Sequence, residues 1–279
     1  MTLHLVLVEP AGPLNVGSVA RLCANYGLAG LRLVAPRCDP LGEEARRMAV
    51  HGRAVLEAAR TYPSLEAALA DCRRVVATSG RGEGEPLPLD PPQRALEWLL
   101  AGGADEPGAL VFGREDRGLT NDELRQAGRL LHIPTGSSYG SLNLSHAVAV
   151  VLHEWQSLRQ GERRAAADPS GPSPRGAAPP QAGGTPPPEP APRGELEAAL
   201  ADAEALLLEV GFLLPHTSRA RMGKLRTLLQ RAQPGSREVA LLRGMVAQLR
   251  WASRRSLSRS LPIDGTPSVG TSPSSPAPS

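Results

Sequence analysis

The sequence holds only three cysteines, Cys23, Cys38 and Cys72. An odd number without CxxC spacing argues against a disulfide framework and fits reduced thiols in a cytoplasmic protein. No apolar run approaches the roughly 20 residues that span a bilayer. The chain opens directly on a strand-like run, without the basic region and apolar core of a secretory signal. No membrane contact is expected. Phosphate loops are also missing, with no GxxxxGK[ST] and no GxGxxG after the first strand, so the usual triphosphate and dinucleotide sites are unsupported. His146 and His153 lie near one helix face, but no carboxylate or cysteine joins them at ligand spacing. They read as ordinary helix histidines, and no metal is expected. Lysine is nearly absent, since Lys224 is the one basic residue of 31 that is not arginine.

Proline and glycine, by contrast, are abundant, at 28 and 29 of 279 residues. Ten of the prolines fall between Pro169 and Pro192. Such a segment buries too little apolar surface to offset its ordering entropy and reads as a linker over 161–194. The end of the chain, 256–279, has the same character. What remains is a first domain over 1–160 and a small helical domain over 195–255. Net charge is only +3, but between His216 and Arg259 eleven basic residues stand against one acidic residue, Glu238. A polyanion is the natural partner of that face.

The first domain alternates apolar runs with amphipathic segments. Leu3–Val8, Leu31–Ala35, Arg74–Thr78, Ala109–Gly113 and Leu130–Ile133 read as strands. Helices are expected over Asn15–Tyr26, Glu43–Arg60 with a break near Gly52, Ser64–Ala70, Pro92–Leu100, Thr120–Gln126 and from Ser141 to about Leu158. Near-continuous apolar strands alternating with helices imply an α/β fold, a Rossmann-like parallel sheet covered on both faces. In the second domain, Leu196, Ala199, Leu200, Ala203, Leu206, Leu207 and Val210 form one helical face ended by Gly211. Two more helices follow, the last with Val239, Leu242, Met245, Val246 and Leu249 on a stripe.

Three short polar segments stand where strands end or helices begin, the places where open α/β sheets build ligand sites. In the first, Asn15 can cap a helix, Gly17 lets another chain approach, and Arg21 lies farther along the same helix. In the second, Gly113 and Gly118 bracket Glu115, and a glycine at a strand end permits close approach to a ligand. A tight turn with Thr120–Glu123 capping the next helix explains the same residues. In the third, Ser141-Leu142-Asn143 opens a helix, whose unpaired backbone N–H groups suit a polar ligand edge.

Together, Asn15-Val16-Gly17-Ser18-Val19-Ala20-Arg21, Phe112–Asn121 and Ser141–Ser145 resemble the three motifs of the SPOUT superfamily of RNA ribose 2′-O-methyltransferases, in its TrmH/TrmJ branch. The resemblance covers roughly the first 157 residues. It implies a C-terminal trefoil knot, which folding rules alone make improbable. It also implies S-adenosylmethionine as cofactor, held by Thr78, Ser79, Gly80, Gly113, Ile133, Ser141, Leu142 and Asn143. Arg21, Glu115, Ser141 and Asn143 become the catalytic set, and Asn15, Arg21 and Arg114 face RNA. A homodimer in which Arg21 and the cofactor pocket come from different protomers is implied as well. The helical domain is similar to the C-terminal extension of TrmJ-type enzymes, which implies tRNA as substrate, methylated on cytidine or uridine at position 32 of the anticodon loop. A ribosomal RNA methyltransferase and a non-catalytic RNA-binding protein are the alternatives. Between Gly80 and Pro92 the chain is less basic than TrmJ-like sequences, which weakens that loop as an RNA contact.

Overall fold

The computed structural model describes residues 2–28, 30–80, 85–103, 106–136, 140–167 and 189–259. Among the described residues seven strands form one sheet: β1 (Thr2–Val8), β2 (Gly30–Val34), β3 (Arg60–Tyr62), β4 (Arg74–Thr78), β5 (Leu89–Asp90), β6 (Pro107–Phe112) and β7 (Arg129–Leu131). Their order is β3-β2-β1-β6-β4-β7-β5, and every pairing is parallel. The five apolar runs are the five inner strands. β3 and β5 are additions at the two edges, with too few apolar residues to announce themselves.

Both faces of the sheet are covered. Alternate residues of β1 divide between them: Leu3, Leu5 and Leu7 join one core and Val6 and Val8 the other. The first core is closed by α1 (Pro13–Asn25), α2 (Glu43–Ala49), α5 (Pro92–Leu100) and α7 (Leu144–Ala167) through Val16, Val19, Ala45, Leu96, Leu99, Val148 and Val151. The second is closed by α4 (Leu65–Leu69) and α6 (Asn121–Leu124) through Leu65, Leu69 and Leu124. The helix expected over Glu43–Arg60 is broken, as α2, a 3-10 turn at Val50–Gly52 and α3 (Arg53–Glu57), and Arg60 already belongs to β3. Two expected caps form: Ser64 Oγ accepts from Ala67 N–H at 3.2 Å, and Thr120 with Glu123 makes a capping box.

Gly17 performs its close approach within the chain. A Cβ there would stand 2.2 Å from the Ala45 carbonyl oxygen, so the glycine seats α1 directly on α2. Gly27, with φ +70°, ends α1, and Leu28 N–H closes back on Cys23 O at 2.8 Å.

The helical domain comprises α8 (Arg193–Glu209), α9 (Pro215–Ala232) and α10 (Ser236–Arg259), around Leu196, Leu200, Leu213, Met222 and Val239. It is docked onto the sheet domain. Arg193 and Gly194 N–H donate to Cys72 and Ala70 carbonyls at 3.0 Å each, and Arg74 forks onto Glu189 with two 2.9 Å bonds. On α10, Val239, Leu242 and Val246 turn inward, whereas Met245 and Leu249 of the expected stripe are exposed. α7 continues to Ala167, past the expected domain end at 160, and α10 reaches Arg259, past the expected 255. Of the Pro/Gly-rich segment, 168–188 lies outside the described residues, as do 260–279 of the tail. No helix among the described residues is long and apolar enough to cross a membrane.

Candidate active site

The adjacent strands β6, β4 and β7 end side by side, and a cavity of about 300 Å³ opens beyond their carboxyl ends. This is the position where open parallel sheets hold ligands. Thr78, Ser79 and Gly80 line it from the end of β4, Gly113 through Leu119 from β6, and Leu131, Ile133 and Thr135 from β7. Gly140, Ser141, Leu142, Leu144 and Ala147 close it from the start of α7.

The exit from β6 shows why glycine is required there. The chain turns back on itself at once: Gly118 N–H donates to Arg114 O at 3.0 Å, and Arg114 N–H returns to Gly118 O at 3.3 Å. A Cβ on Gly113 would lie 2.3 Å from the Gly118 carbonyl carbon, and Gly118 itself has φ +68°.

Glu115 leaves this loop toward α1. Its carboxylate accepts from Ala11 N–H at 3.1 Å, Gly12 N–H at 3.0 Å and Asn15 Nδ2 at 3.1 Å. Helix α1 begins at Pro13 after Gly12 and has no side-chain cap of its own. Glu115, a hundred residues away, satisfies those donors instead. Burial pushes the Glu115 pKa up, but the donors from Ala11, Asn15 and Gly12 outweigh it and hold the carboxyl below its ordinary value. The expected Asn15 cap is thereby corrected. Asn15 sits inside the helix and ties α1 to Glu115.

Arg114 is held from two sides. It is buried, forks onto Glu123 with two 2.9 Å bonds, and pairs with Glu9. Two carboxylates hold it, so it organises the loop beside the cavity it also lines. Arg117, with a side chain 56% exposed, is the outward arginine of this loop. Glu9, at φ 45° where β1 ends, is held down at a pKa of about 2 by Arg114, with Arg37 and Arg117 adding to the effect.

Seven of the eight residues expected to hold a cofactor line the cavity, and Asn143 is the exception. The helix starts at Leu144, not Ser141, and Asn143 is its N-cap: Oδ1 accepts from Ser145 N–H at 2.9 Å and from Ser145 Oγ at 2.8 Å. Ser141 stands before the helix, exposed and on the cavity rim. Ser79 donates its hydroxyl to Glu85, and Thr78 donates to Val111 O at 3.1 Å. Arg21 is exposed on α1 and does not line the cavity of its own chain. Its Cα is packed against Gly52, where a Cβ would come within 2.6 Å.

Sequence reasoning missed Glu9, Arg117, Leu131, Thr135 and Gly140. The turn residues after β7, Pro134-Thr135-Gly136, were the available signal for two of these, since Thr135 Oγ1 donates to Gly140 O at 3.2 Å. Cys23 and Cys72 are buried, and burial pushes both thiols up to about 12, which removes them from any nucleophilic role. Among the described residues no three His, Cys, Asp or Glu side chains converge as a metal site.

The SpoU rRNA methylase family model matches residues 2–153, and that of the tRNA methyltransferase TrmJ C-terminal domain matches 194–260. A tRNA (cytidine/uridine-2′-O-)-methyltransferase TrmJ of Klebsiella pneumoniae is 36% identical over 88% of this chain and 96% of its own. A tRNA (cytidine/uridine/adenosine-2′-O-)-methyltransferase TrmJ of Pseudomonas aeruginosa is also 36% identical, over 90% and 95%. The solved structure of TrmJ from Z. mobilis ZM4 superposes with a TM-score of 0.74 at 30% identity, covering 89% of this chain and 99% of that one. The chain belongs to the SpoU methylase family, in its TrmJ branch.

Proposed function

We propose that the protein transfers a methyl group from S-adenosylmethionine to the ribose 2′-hydroxyl of tRNA, on cytidine or uridine at position 32 of the anticodon loop. The observation that carries this reading is the cavity beyond β6, β4 and β7, lined by residues of the second and third signature segments and found in a chain collinear with TrmJ relatives. At about 300 Å³ it falls at the small end of ligand sites. Gly113 on its wall admits no side chain, because the Gly118–Leu119 backbone lies against it. Thr78, Ser79, Gly80, Gly113, Ile133, Ser141 and Leu142 would hold S-adenosylmethionine, whose sulfonium supplies an electrophilic methyl group.

The protein's own contribution is placement. A 2′-hydroxyl is a poor nucleophile until its proton is withdrawn, which solvent water accepts, and the negative charge this leaves on the oxygen must be stabilised as the S–CH₃ bond breaks. Arg21 offers a planar fork that holds a phosphate and stabilises that charge, and guanidinium groups stay protonated in proteins. Ser141, on the cavity rim, is placed to orient the ribose, while Asn143 fixes the start of α7 behind it. Because Arg21 lies off its own cavity, the working site takes Arg21 from a second copy of the chain. The exposed Leu14 and Val150, at 48% and 44%, belong to the α1 and α7 surfaces that this copy would cover. The trefoil knot belongs to the same reading.

The test is transfer of labelled methyl from S-adenosylmethionine to bulk tRNA and bulk ribosomal RNA, followed by nucleoside analysis. A 2′-O-methylated pyrimidine in tRNA alone is expected. Label in ribosomal RNA alone would favour the other substrate class, the one named in the matching family model. The cavity is tested separately by Gly113→Ala. The new Cβ forces the Arg114–Gly118 loop outward, at about 1–3 kcal/mol of stability. S-adenosylmethionine binding by calorimetry is expected to weaken about tenfold or more, and unchanged binding would remove Gly113 from the cofactor site.

A further inference from the structure

A second, more open cavity of about 800 Å³ separates α9 from α6, and nothing in the reaction just described uses it. α9 presents one helical stripe to it: His216, Arg219, Lys224 and Arg231. Small residues lie between them, and a Cβ on Gly223 would meet only Arg125 Nε, at 4.0 Å across the cleft. Arg125, which follows α6, completes the basic lining.

The other basic residues of α9 are already committed. Arg221 donates to Phe212 O at 3.0 Å, and Arg226 forks onto Glu197 at distances down to 2.7 Å. Lys224 and Arg231 form no ion pair among the described residues. Among the described residues Asp122 is the sole acidic side chain lining the cleft. It accepts from Arg125 Nη1 at 2.7 Å with one oxygen and from Arg219 with the other. The Arg219 side chain is 89% exposed and that of Asp122 51%, so this bridge is readily exchanged.

We propose that this cleft binds the phosphate backbone of the tRNA substrate, with Asp122 standing in for one phosphate until RNA arrives. The proposal rests on the tRNA reading above and deepens it. From His216 to Arg231 the helix runs about 22 Å, long enough to follow several successive phosphates. Arginine forks suit phosphate oxygens, and a carboxylate held between two of them marks the place an anion takes. The cleft also adjoins the cavity through two short links. Glu123, next to Asp122, holds Arg114 of the cavity loop. Pro86, on the cleft wall, follows Glu85, which accepts from the cavity-lining Ser79. RNA held in the cleft therefore bears on both loops that shape the cofactor site.

The experiment measures binding of unfractionated tRNA to the full chain across a salt series. The variants are the triple Arg219→Ala/Lys224→Ala/Arg231→Ala, the single Asp122→Asn, and the control Arg243→Ala/Arg254→Ala on α10, each checked for an unchanged melting profile. The triple variant is expected to bind at least about thirtyfold more weakly at about 0.1 M salt, with a salt slope lower by about three. Asp122→Asn is expected to bind about two- to fivefold more tightly, and the control to stay within about threefold. Wild-type affinity and slope in the triple variant, or an equal loss in the control, would overturn the cleft while leaving the methylation reading intact. Methylation of ribosomal RNA in place of tRNA by the wild-type chain would overturn the tRNA reading. The same variants then score the cleft on that RNA.

Discussion

Alanine in place of Arg21 is expected to lower the single-turnover rate of methyl transfer by about 10²–10³-fold and to leave thermal stability nearly unchanged. The two halves of this expectation have separate causes. The side chain is exposed on α1, so removing it breaks little that folding depends on. The backbone beneath it is held tightly, because Gly52 approaches so closely that a Cβ there would touch the Arg21 Cα. A flexible side chain on a fixed base is a suitable arrangement for gripping a mobile RNA. Arg21→Lys keeps the charge and loses the planar fork, so its rate is expected to fall about tenfold or more relative to wild type. Rapid-quench measurement at saturating tRNA and S-adenosylmethionine separates the cases. An unchanged Arg21→Lys rate would remove the requirement for a fork and leave only a point charge.

Glu115→Ala is expected to damage both stability and rate. The carboxylate satisfies the Ala11 and Gly12 N–H groups at the head of α1 as well as the Asn15 amide, and alanine leaves all three donors without it. Bonds of this charged kind are worth about 1.5–3 kcal/mol each when optimal. Partial exposure and access to water reduce the total to about 2 kcal/mol. In a chain of this size that lowers the melting temperature by about 4–8 °C. Because α1 also carries Arg21, a small displacement of its start is expected to lower the rate by up to about a hundredfold.

The pH dependence of this effect has a definite sign. The folded-state pKa of Glu115 lies below its ordinary value, so the stabilisation is fully present above about pH 4.5. It is lost as pH falls through the lower folded-state value. Glu115→Gln should therefore differ from wild type in melting temperature at pH 7 and converge with it in acid. A difference that persists unchanged in acid would mean that shape, not charge, is what Glu115 supplies.

Much of this arrangement is legible in the sequence wherever the cause is local. Buried parallel strands must be apolar on both faces, so β1, β2, β4, β6 and β7 announce themselves, and Ser64 and Thr120 mark their helix starts by the chemistry of capping. Seven cavity residues follow from the motif resemblance because strand ends fix where they must lie. What stayed hidden depends on partners distant in sequence. Asn15 looks like a cap until Glu115 is brought beside it, and Arg114 looks unpaired until Glu9 and Glu123 close around it. Ser141 and Asn143 both suit a helix start, and only the fold decides that Asn143 is the cap. β3 and β5 exist because a neighbouring strand offers them a ladder, which the runs Arg60-Thr61-Tyr62 and Leu89-Asp90 do not reveal. The exposed Met245 and Leu249 show the converse case. A helical stripe on α10 is wider than the surface of α8 available to cover it.

That one copy's Arg21 serves another copy's cavity is tested most directly by measuring mass and methyl transfer in the same sample. Light scattering from the full chain is expected to give twice the 29.3 kDa chain mass at concentrations where tRNA is methylated. Specific activity should fall on dilution as that mass falls. Full specific activity in a sample scattering as a single 29.3 kDa chain would contradict the shared site and return Arg21 to its own cavity.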